Sequence, residues 1–348
     1  MTRIDDVARE AGVSTATVSR ALRGLPTVAG PTRQRVLQAA ARLGYIASPS
    51  ASRLAGGRTA TIAVVVPRIT RWFFSTVVEA VEETLHDAGY DLLLYNLGGR
   101  EDTRRRLLHT ANLHKRVDAL MLVAIPLQAA DLAALTSVTV PGVTVSSGTA
   151  VPGWASVRID DVAAARTATR HLLDLGHRRI AHISGDSSEE LAFTTHLDRR
   201  HGYRQALLAA GLAPDTRLEV EAPFTVDGGS RAITELLRHG DPPTAVFAAC
   251  DEMAMGAIGA LRQAGLRVPD DVSVIGIDDH NLAAAVGLTT VAQPAAEQGQ
   301  IAAHALLGPL QDGAPSSGEL LLPTRLVVRE TTGPPRPDGR VSGHVDPR

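Results

Sequence analysis

The chain contains one cysteine and one lysine in 348 residues, Cys250 and Lys115. A lone cysteine excludes an intramolecular disulfide and a cysteine-based zinc site. Aromatic residues are scarce, with five Phe, four Tyr and two Trp. No apolar run approaches the roughly 18 residues that a bilayer span requires, so no membrane segment is expected. The N-terminus opens on the polar stretch MTRIDDVARE, where a secretory signal would need an apolar one, and a cytoplasmic protein is expected. Also missing are a G-x-S-x-G elbow, a Walker A loop and an H-E-x-x-H pair. The twelve histidines are scattered. These absences count against catalysis, and no catalytic residue, metal or cofactor is expected.

The charge that is present is uneven. The formal net charge is −2, yet residues 1–58 carry nine arginines against Asp5, Asp6 and Glu10. That gives the head about +6 and leaves the remainder near −8. A basic head on an acidic body is the footprint of nucleic-acid binding. A solvated basic face without a partner is the alternative on charge alone.

Within the head, Ile4, Val7, Ala8 and Ala11 share one helical face. Thr2 is placed to cap that helix, with Asp5 in the reciprocal position. Gly12-Val13 supplies a tight turn. Ser14 then caps a second helix, TATVSRALR, that buries Val18 and Leu22. A third helix at about 31–43 packs Val36, Leu37, Ala40 and Leu43 beneath both. Two amphipathic helices around a short Gly-containing turn form a helix-turn-helix or a generic helical hairpin.

The residue order narrows that choice. DDVAREAGVSTATVSRAL followed by TRQRVLQAAARLGYIA closely resembles the lac repressor family of bacterial regulators, and the resemblance runs to about residue 330. It implies that Thr15, Ala16 and Arg20 face base edges. Arg20 can donate a bidentate pair to guanine, while Ala16 and the Thr15 methyl suit a thymine methyl. Ser14 and Thr17 suit phosphates. Where the family usually has Ser after Val28, this chain has Ala29, which weakens the third helix by about 1 kcal/mol. Residues 47–58 read as a Ser-, Ala- and Gly-rich linker. The resemblance implies a hinge helix there that forms on operator DNA. Leu54 is its minor-groove wedge, and Ala51 lies one turn before it on the same face.

Beyond the head, short apolar runs alternate with helical stretches: TIAVVV (61–66), DLLLYN (91–96), DALMLV (118–123) and VTVSS (143–147). A second series has RIAHISG (179–185), TAVFAA (244–249) and VSVIGID (272–278). This pattern predicts parallel sheets built from β-α-β units. The fold expected is an all-α helix-turn-helix domain (1–46), a linker (47–58) and a two-lobed, periplasmic-binding-protein-like α/β core (59–330). Lobe N takes 59–159 and 291–320, lobe C takes 160–290 and 321–330. The Pro- and Gly-rich residues 331–348 are expected to be a disordered tail, without the heptads that would add a tetramer helix.

Open α/β sheets bind ligands beyond the carboxyl ends of their strands. Arg71, Phe73 and Phe74 follow the first strand, where an aromatic cluster either stacks on a ring or belongs to the lobe core. Asp278 ends VSVIGID and can accept two sugar hydroxyls. The resemblance implies Phe74 as a pocket wall and Arg199 as a ligand-binding arginine. Asp160, Thr195 and Gln293 are carried over by position. Cys250 and Ser146 stand where relatives often have Asn and an acid, so hydrogen-bonding capacity is lost. That pattern fits a less hydroxylated effector, or an anionic one held by Arg71 and Arg199. His177 and His182 flank a strand and read as structural.

The function expected is a homodimeric, operator-specific transcriptional repressor. It binds palindromic double-stranded DNA under control of a small effector, a sugar or sugar derivative, in the interlobe cleft. The alternative is a cytosolic sugar- or nucleotide-handling enzyme or binding protein on the same lobes. The sequence leaves open whether the effector induces or corepresses.

Overall fold

The computed structural model describes residues 2–22, 24–45, 59–108, 116–136, 140–186, 194–238, 242–311, 313 and 317–337. Ala51, Leu54 and the expected hinge helix lie outside the described residues. The chain forms two compact units, Met1–Thr61 with Lys115–Asp118, and Ile62–His114 with Ala119–Arg348.

The first unit is built on helices α1 (Ile4–Ala11), α2 (Thr15–Leu22) and α3 (Gly30–Arg42). Val7, Ala8, Ala11, Val18, Ala21, Val36, Ala39 and Ala40 close its core. Helix α1 is capped one residue later than expected: the Arg3 amide donates to the Asp6 carboxylate at 2.9 Å. The Thr2 hydroxyl instead donates to the Leu43 carbonyl at 3.0 Å, tying the chain start to the end of α3. Gly12 takes the left-handed turn at φ 65°, and Ser14 caps α2 by accepting the Thr17 amide at 3.2 Å. On α3 the buried stripe is Val36, Ala39 and Ala40, while Leu37 is 47% exposed. Leu37 sits about 100° around the helix from Val36, off the inward face.

The second unit holds two six-stranded sheets of the same winding. The first comprises β1 (Thr61–Val66), β2 (Asp91–Asn96), β3 (Ala119–Val123), β4 (Gly142–Val145), β5 (Ala155–Ile159) and β11 (Gly318–Leu322). The second comprises β6 (Ile180–Gly185), β7 (Glu219–Ala222), β8 (Ala245–Ala248), β9 (Ser273–Asp278), β10 (Thr289–Ala292) and β12 (Arg325–Val327). Their orders, β11-β5-β4-β3-β1-β2 and β12-β10-β9-β8-β6-β7, are the same path traced twice. They differ at the last strand, since β11 runs parallel to β5 and β12 antiparallel to β10. The central strands β1, β3, β8 and β9 are almost wholly apolar and buried, as sheets covered on both faces require.

Helices α4 (Trp72–Asp87), α5 (Glu101–Leu108), α6 (Ala129–Thr136) and α11 (Ala295–Gln311) belong to the first lobe. Helices α7 (Asp161–Asp174), α8 (Thr195–Ala209), α9 (Val226–Arg238) and α10 (Asp251–Gln263) belong to the second. Close packing of α11 on α4 depends on Gly299, whose missing Cβ would lie 2.6 Å from the Val77 carbonyl oxygen. The chain passes between lobes three times, at β5–α7, β10–α11 and β11–β12. Strand β10 pairs with β9 and so places residues 291 and 292 in the second lobe; the expected boundary had put them in the first.

The expected disordered tail is corrected for its first seven residues. Thr331 is 3% exposed. Its carbonyl accepts the Val274 amide at 2.7 Å, and its hydroxyl donates to the Val274 carbonyl at 2.7 Å. Gly333 bonds His177 and Ser273, and Arg336 pairs with Asp271 at 2.7 Å. Polar composition concealed this, because the segment is held by backbone and hydroxyl bonds rather than by apolar burial. Residues 338–348 lie outside the described residues. No described helix is long and apolar enough to cross a membrane.

Candidate functional site

Two sites emerge, one in each unit. In the first unit, Ser14, Thr15, Ala16 and Arg20 are exposed and Thr17 is half-buried. Val18 and Ala21 turn inward, so α2 offers its opposite side to solvent. Ser14 and Thr17 bond each other at 2.9 Å, fixing two hydroxyls at the start of α2. The helix N-terminus there adds the partial positive charge that favours phosphate. Arg20 is in the last turn of α2, and among the described residues no carboxylate holds it.

In the second unit a cavity, partly open to solvent, lies at the carboxyl ends of both sets of strands. The first lobe contributes Arg68, Arg71, Phe73 and Phe74 from β1 into α4, Ala124 after β3, and Ser146 after β4. The second contributes Asp161, Thr195 and Arg199 from α7 and α8, Phe224 after β7, Cys250 and Glu252 at the start of α10, and Asp278 at the end of β9. Gln293 lines it from the crossover after β10. The neighbours β1 and β3 in the first lobe, and β6 and β8 in the second, are where the strand order reverses and where such folds open a crevice. Three lining residues hold positive φ without being glycine: Ala124 (48°), Ser146 (49°) and Asp278 (141°). Strain of this kind is concentrated at ligand sites.

The polar groups in the wall are heavily interlinked. Arg199 is 4% exposed; its Nε donates to Asp161 at 2.8 Å, and it also donates to the Ala249 carbonyl. Burial opposes the Arg199 charge, but the carboxylates of Asp161 and Asp278 hold its pKa above the ordinary value. Burial raises Asp161, with Arg199 acting in the other direction. Asp278 is pushed up to about 8 by burial, against Arg199 and with Asp251. Its Oδ1 accepts from Gln293 at 2.6 Å, Gln293 accepts from Gln298 at 3.1 Å, and Gln298 accepts from Ser146 at 2.9 Å. Burial keeps the Cys250 thiol protonated, well above its usual pKa.

Other contacts join the lobes at the cavity mouth. Glu252 accepts the Trp72 backbone amide, and its carboxyl is raised by burial and lowered by Arg71. The Trp72 and His280 rings approach to 5.2 Å.

Of the ten effector residues expected, the cavity gathers Arg71, Phe73, Phe74, Ser146, Thr195, Arg199, Cys250, Asp278 and Gln293. Asp160 is the correction: it is exposed and caps α7 through the Ala163 amide at 2.9 Å, while Asp161 turns inward to Arg199. Residues not anticipated are Arg68, Ala124, Asp161, Phe224 and Glu252. Phe224 follows a short charged strand, EVEA, that carries no apolar signal. Arg68 lies three residues before Arg71, outside the aromatic cluster. His177 and His182 are structural as expected: His177 bonds Thr244 and Ser273, and His182 stacks between Tyr203 and Phe247.

Comparison with known proteins agrees with this arrangement. Residues 3–48 match the bacterial regulatory proteins of the lacI family, and residues 169–332 match the periplasmic binding protein-like domain. Catabolite control protein A of Priestia megaterium is 35% identical over 331 residues, covering 94% of this chain and 98% of that protein. The lac repressor dimer bound to operator and the anti-inducer ONPF superposes with a TM-score of 0.81 at 30% identity, over 95% of this chain and 99% of that one. The transcriptional regulator CelR–cellobiose complex gives 0.70 at 34% identity, over 95% and 100%. Among the described residues no group of three or more His, Cys, Asp and Glu could hold a metal. With a helix-turn-helix in front of a two-lobed binding core and relatives matched along nearly their whole length, the chain belongs to the lacI family of DNA-binding transcriptional regulators.

Proposed function

We propose that this protein is a dimeric transcriptional repressor whose operator affinity is set by a small molecule held in the cavity. The observation that carries the reading is the pairing, in one chain, of an exposed α2 face bearing an unpaired Arg20 with a cavity walled by both lobes. Ser14 and Thr17 hold phosphates; Thr15, Ala16 and Arg20 read bases in the major groove. Leu54 is the minor-groove wedge, with Ala51 beside it in contact with the DNA. Two copies reading two half-sites give a palindromic operator. A dimer on its operator is what the related lac repressor structure contains, and cellobiose is bound by the related regulator CelR.

The cavity residues proposed to contact the effector are Phe73, Phe74, Arg71, Ser146, Thr195, Arg199, Cys250, Asp278 and Gln293. Control follows from linkage: a ligand that prefers one lobe angle shifts the dimer toward or away from the operator-binding geometry. The Trp72–His280 and Trp72–Glu252 contacts cross between the lobes, so a change of lobe angle would strain them. The protein acts in the cytoplasm, on the nucleoid.

Selection of bound sites from a random duplex pool tests the reading. Recovery of an inverted repeat is expected, with Arg20→Ala weakening binding by 1–3 kcal/mol and relaxing preference at one position per half-site. Recovery of no preferred site would overturn operator-specific binding.

A further inference from the structure

The cations around the cavity differ in what already holds them. Arg199 is occupied by Asp161 and the Ala249 carbonyl. Arg71 faces Glu252, whose carboxylate also takes the Trp72 amide. Arg68 lines the same cavity, and among the described residues no carboxylate pairs with it. Its guanidinium rests against Gly99, where a Cβ would collide with it. The rim of the first lobe therefore carries a seated arginine with its charge unmet, beside Arg71 at the start of α4. No side chain of the cap residue satisfies the first-turn amides of that helix.

Asp278 of the second lobe ends a relay that starts in the first. In the relay from Ser146 through Gln298 and Gln293, each group donates to the next and the last donates to Asp278 Oδ1. A proton on Asp278 must then sit on Oδ2. Burial pushes Asp278 up to about 8 against the opposing Arg199 charge, which favours the protonated carboxyl. A carboxyl in this state gives a hydrogen bond where an ionised one would only accept. Phe73, Phe74 and Phe224 supply the apolar wall between the two polar ends.

Resting on the reading of this cavity as the effector site, we infer that the effector carries an oxyanion, a carboxylate or a phosphate, seated by Arg68 and Arg71 at the start of α4. A neutral polyol would leave Arg68 unmatched. An oxyanion supplies paired acceptors to two guanidinium groups and to the helix start, the arrangement that makes such contacts strong. Asp278 addresses an oxygen at the other end of the same molecule.

The test is calorimetric titration of the full chain with matched probes: ribose, ribose 5-phosphate and ribonate, then glucose, glucose 6-phosphate and gluconate. An acid-bearing member of either set is expected to bind at least tenfold tighter than its neutral parent, with the difference shrinking as salt rises. A phosphate-only preference identifies a sugar phosphate, and a carboxylate-only preference a sugar acid. Arg68→Met should remove most of that difference and Arg68→Lys restore part of it, with unliganded melting confirming that both variants fold. Neutral parents binding as tightly as the acids would overturn the oxyanion while leaving the cavity as the effector site. Acid binding unaffected by Arg68→Met, Arg71→Met and Phe224→Ala would place the ligand elsewhere and contradict both readings. Failure of every acid-bearing probe to bind would also overturn the oxyanion.

Discussion

Arg199 and Asp161 form an ion pair that is almost dry, with side chains 5% and 10% exposed. Removing one member leaves the other buried and uncompensated, a change that typically costs 3–5 kcal/mol. Asp161→Ala is therefore expected to lower the denaturant midpoint of the second unit sharply, whereas Asp160→Ala removes only a cap worth about 1 kcal/mol. The pair Asp160-Asp161 also shows why residue-level reading of the site was incomplete. Two adjacent aspartates are indistinguishable as a string, and only the register of β5 into α7 decides which one turns inward. Arg199, Asp278 and Phe74 were legible because strand ends and family position converge on them. Arg68 was not, since its importance depends on Gly99 from a different loop.

His182 gives a pH prediction at the same scale. Burial drives its pKa down to about 3 from the ordinary 6.5, with the Phe247 carbonyl working the other way. Between those values the unfolded chain binds a proton that the folded one does not, so the contribution is complete above 6.5 and fades as pH falls toward 3. The slope from one such group is at most about 1.4 kcal/mol per pH unit. Replacing His182 with Gln should flatten the acid limb of a melting-temperature profile. An unchanged limb would show that His182 is not protonated on unfolding.

Among the elements, α3 starts without help. Its N-cap is Ala29, no side chain caps the first turn, and Pro31 occupies that turn instead. Ala29→Ser supplies the missing acceptor and is expected to stabilise α3 by about 1 kcal/mol, near fivefold slower hydrogen exchange at its amides. Exchange left unchanged would mean that the serine fails to cap. The segment 331–337 makes the opposite point. Deleting everything after Glu330 removes partners from Val274, Thr289, Ser273 and His177. Each buried group left unsatisfied costs about 1–3 kcal/mol. The shortened chain should therefore melt several degrees lower. An unshifted transition would show that the segment is dispensable.

Periodicity revealed the elements it is suited to reveal. Strands such as TIAVVV and SVIGID announce themselves by continuous apolar content, and α1 and α2 by their helical stripe. EVEA and GELLL do not, because edge positions tolerate charge, and the interior ASVRI does not, because so short a strand carrying an Arg offers too few residues for a pattern.

At the scale of the whole molecule, the repeated sheet order produces two lobes whose strand ends face one cavity, and three crossovers let them change angle together. The relay from Ser146 to Asp278 passes through Gln298 of the first lobe and the crossover residue Gln293 before it reaches the second. Under the proposed function, a ligand that displaces any member would alter the interlobe geometry, and this is the route proposed from occupancy to DNA. The measurement that tests this most directly is operator affinity, by fluorescence anisotropy, with and without a saturating amount of the probe sugar acid or phosphate that stabilises the full chain most. A change in Kd of fivefold or more is expected, equivalent to at least about 1 kcal/mol of coupling, with the operator shifting probe affinity by the same factor. An operator Kd identical in the presence and absence of a bound probe would contradict control of DNA binding through the cavity.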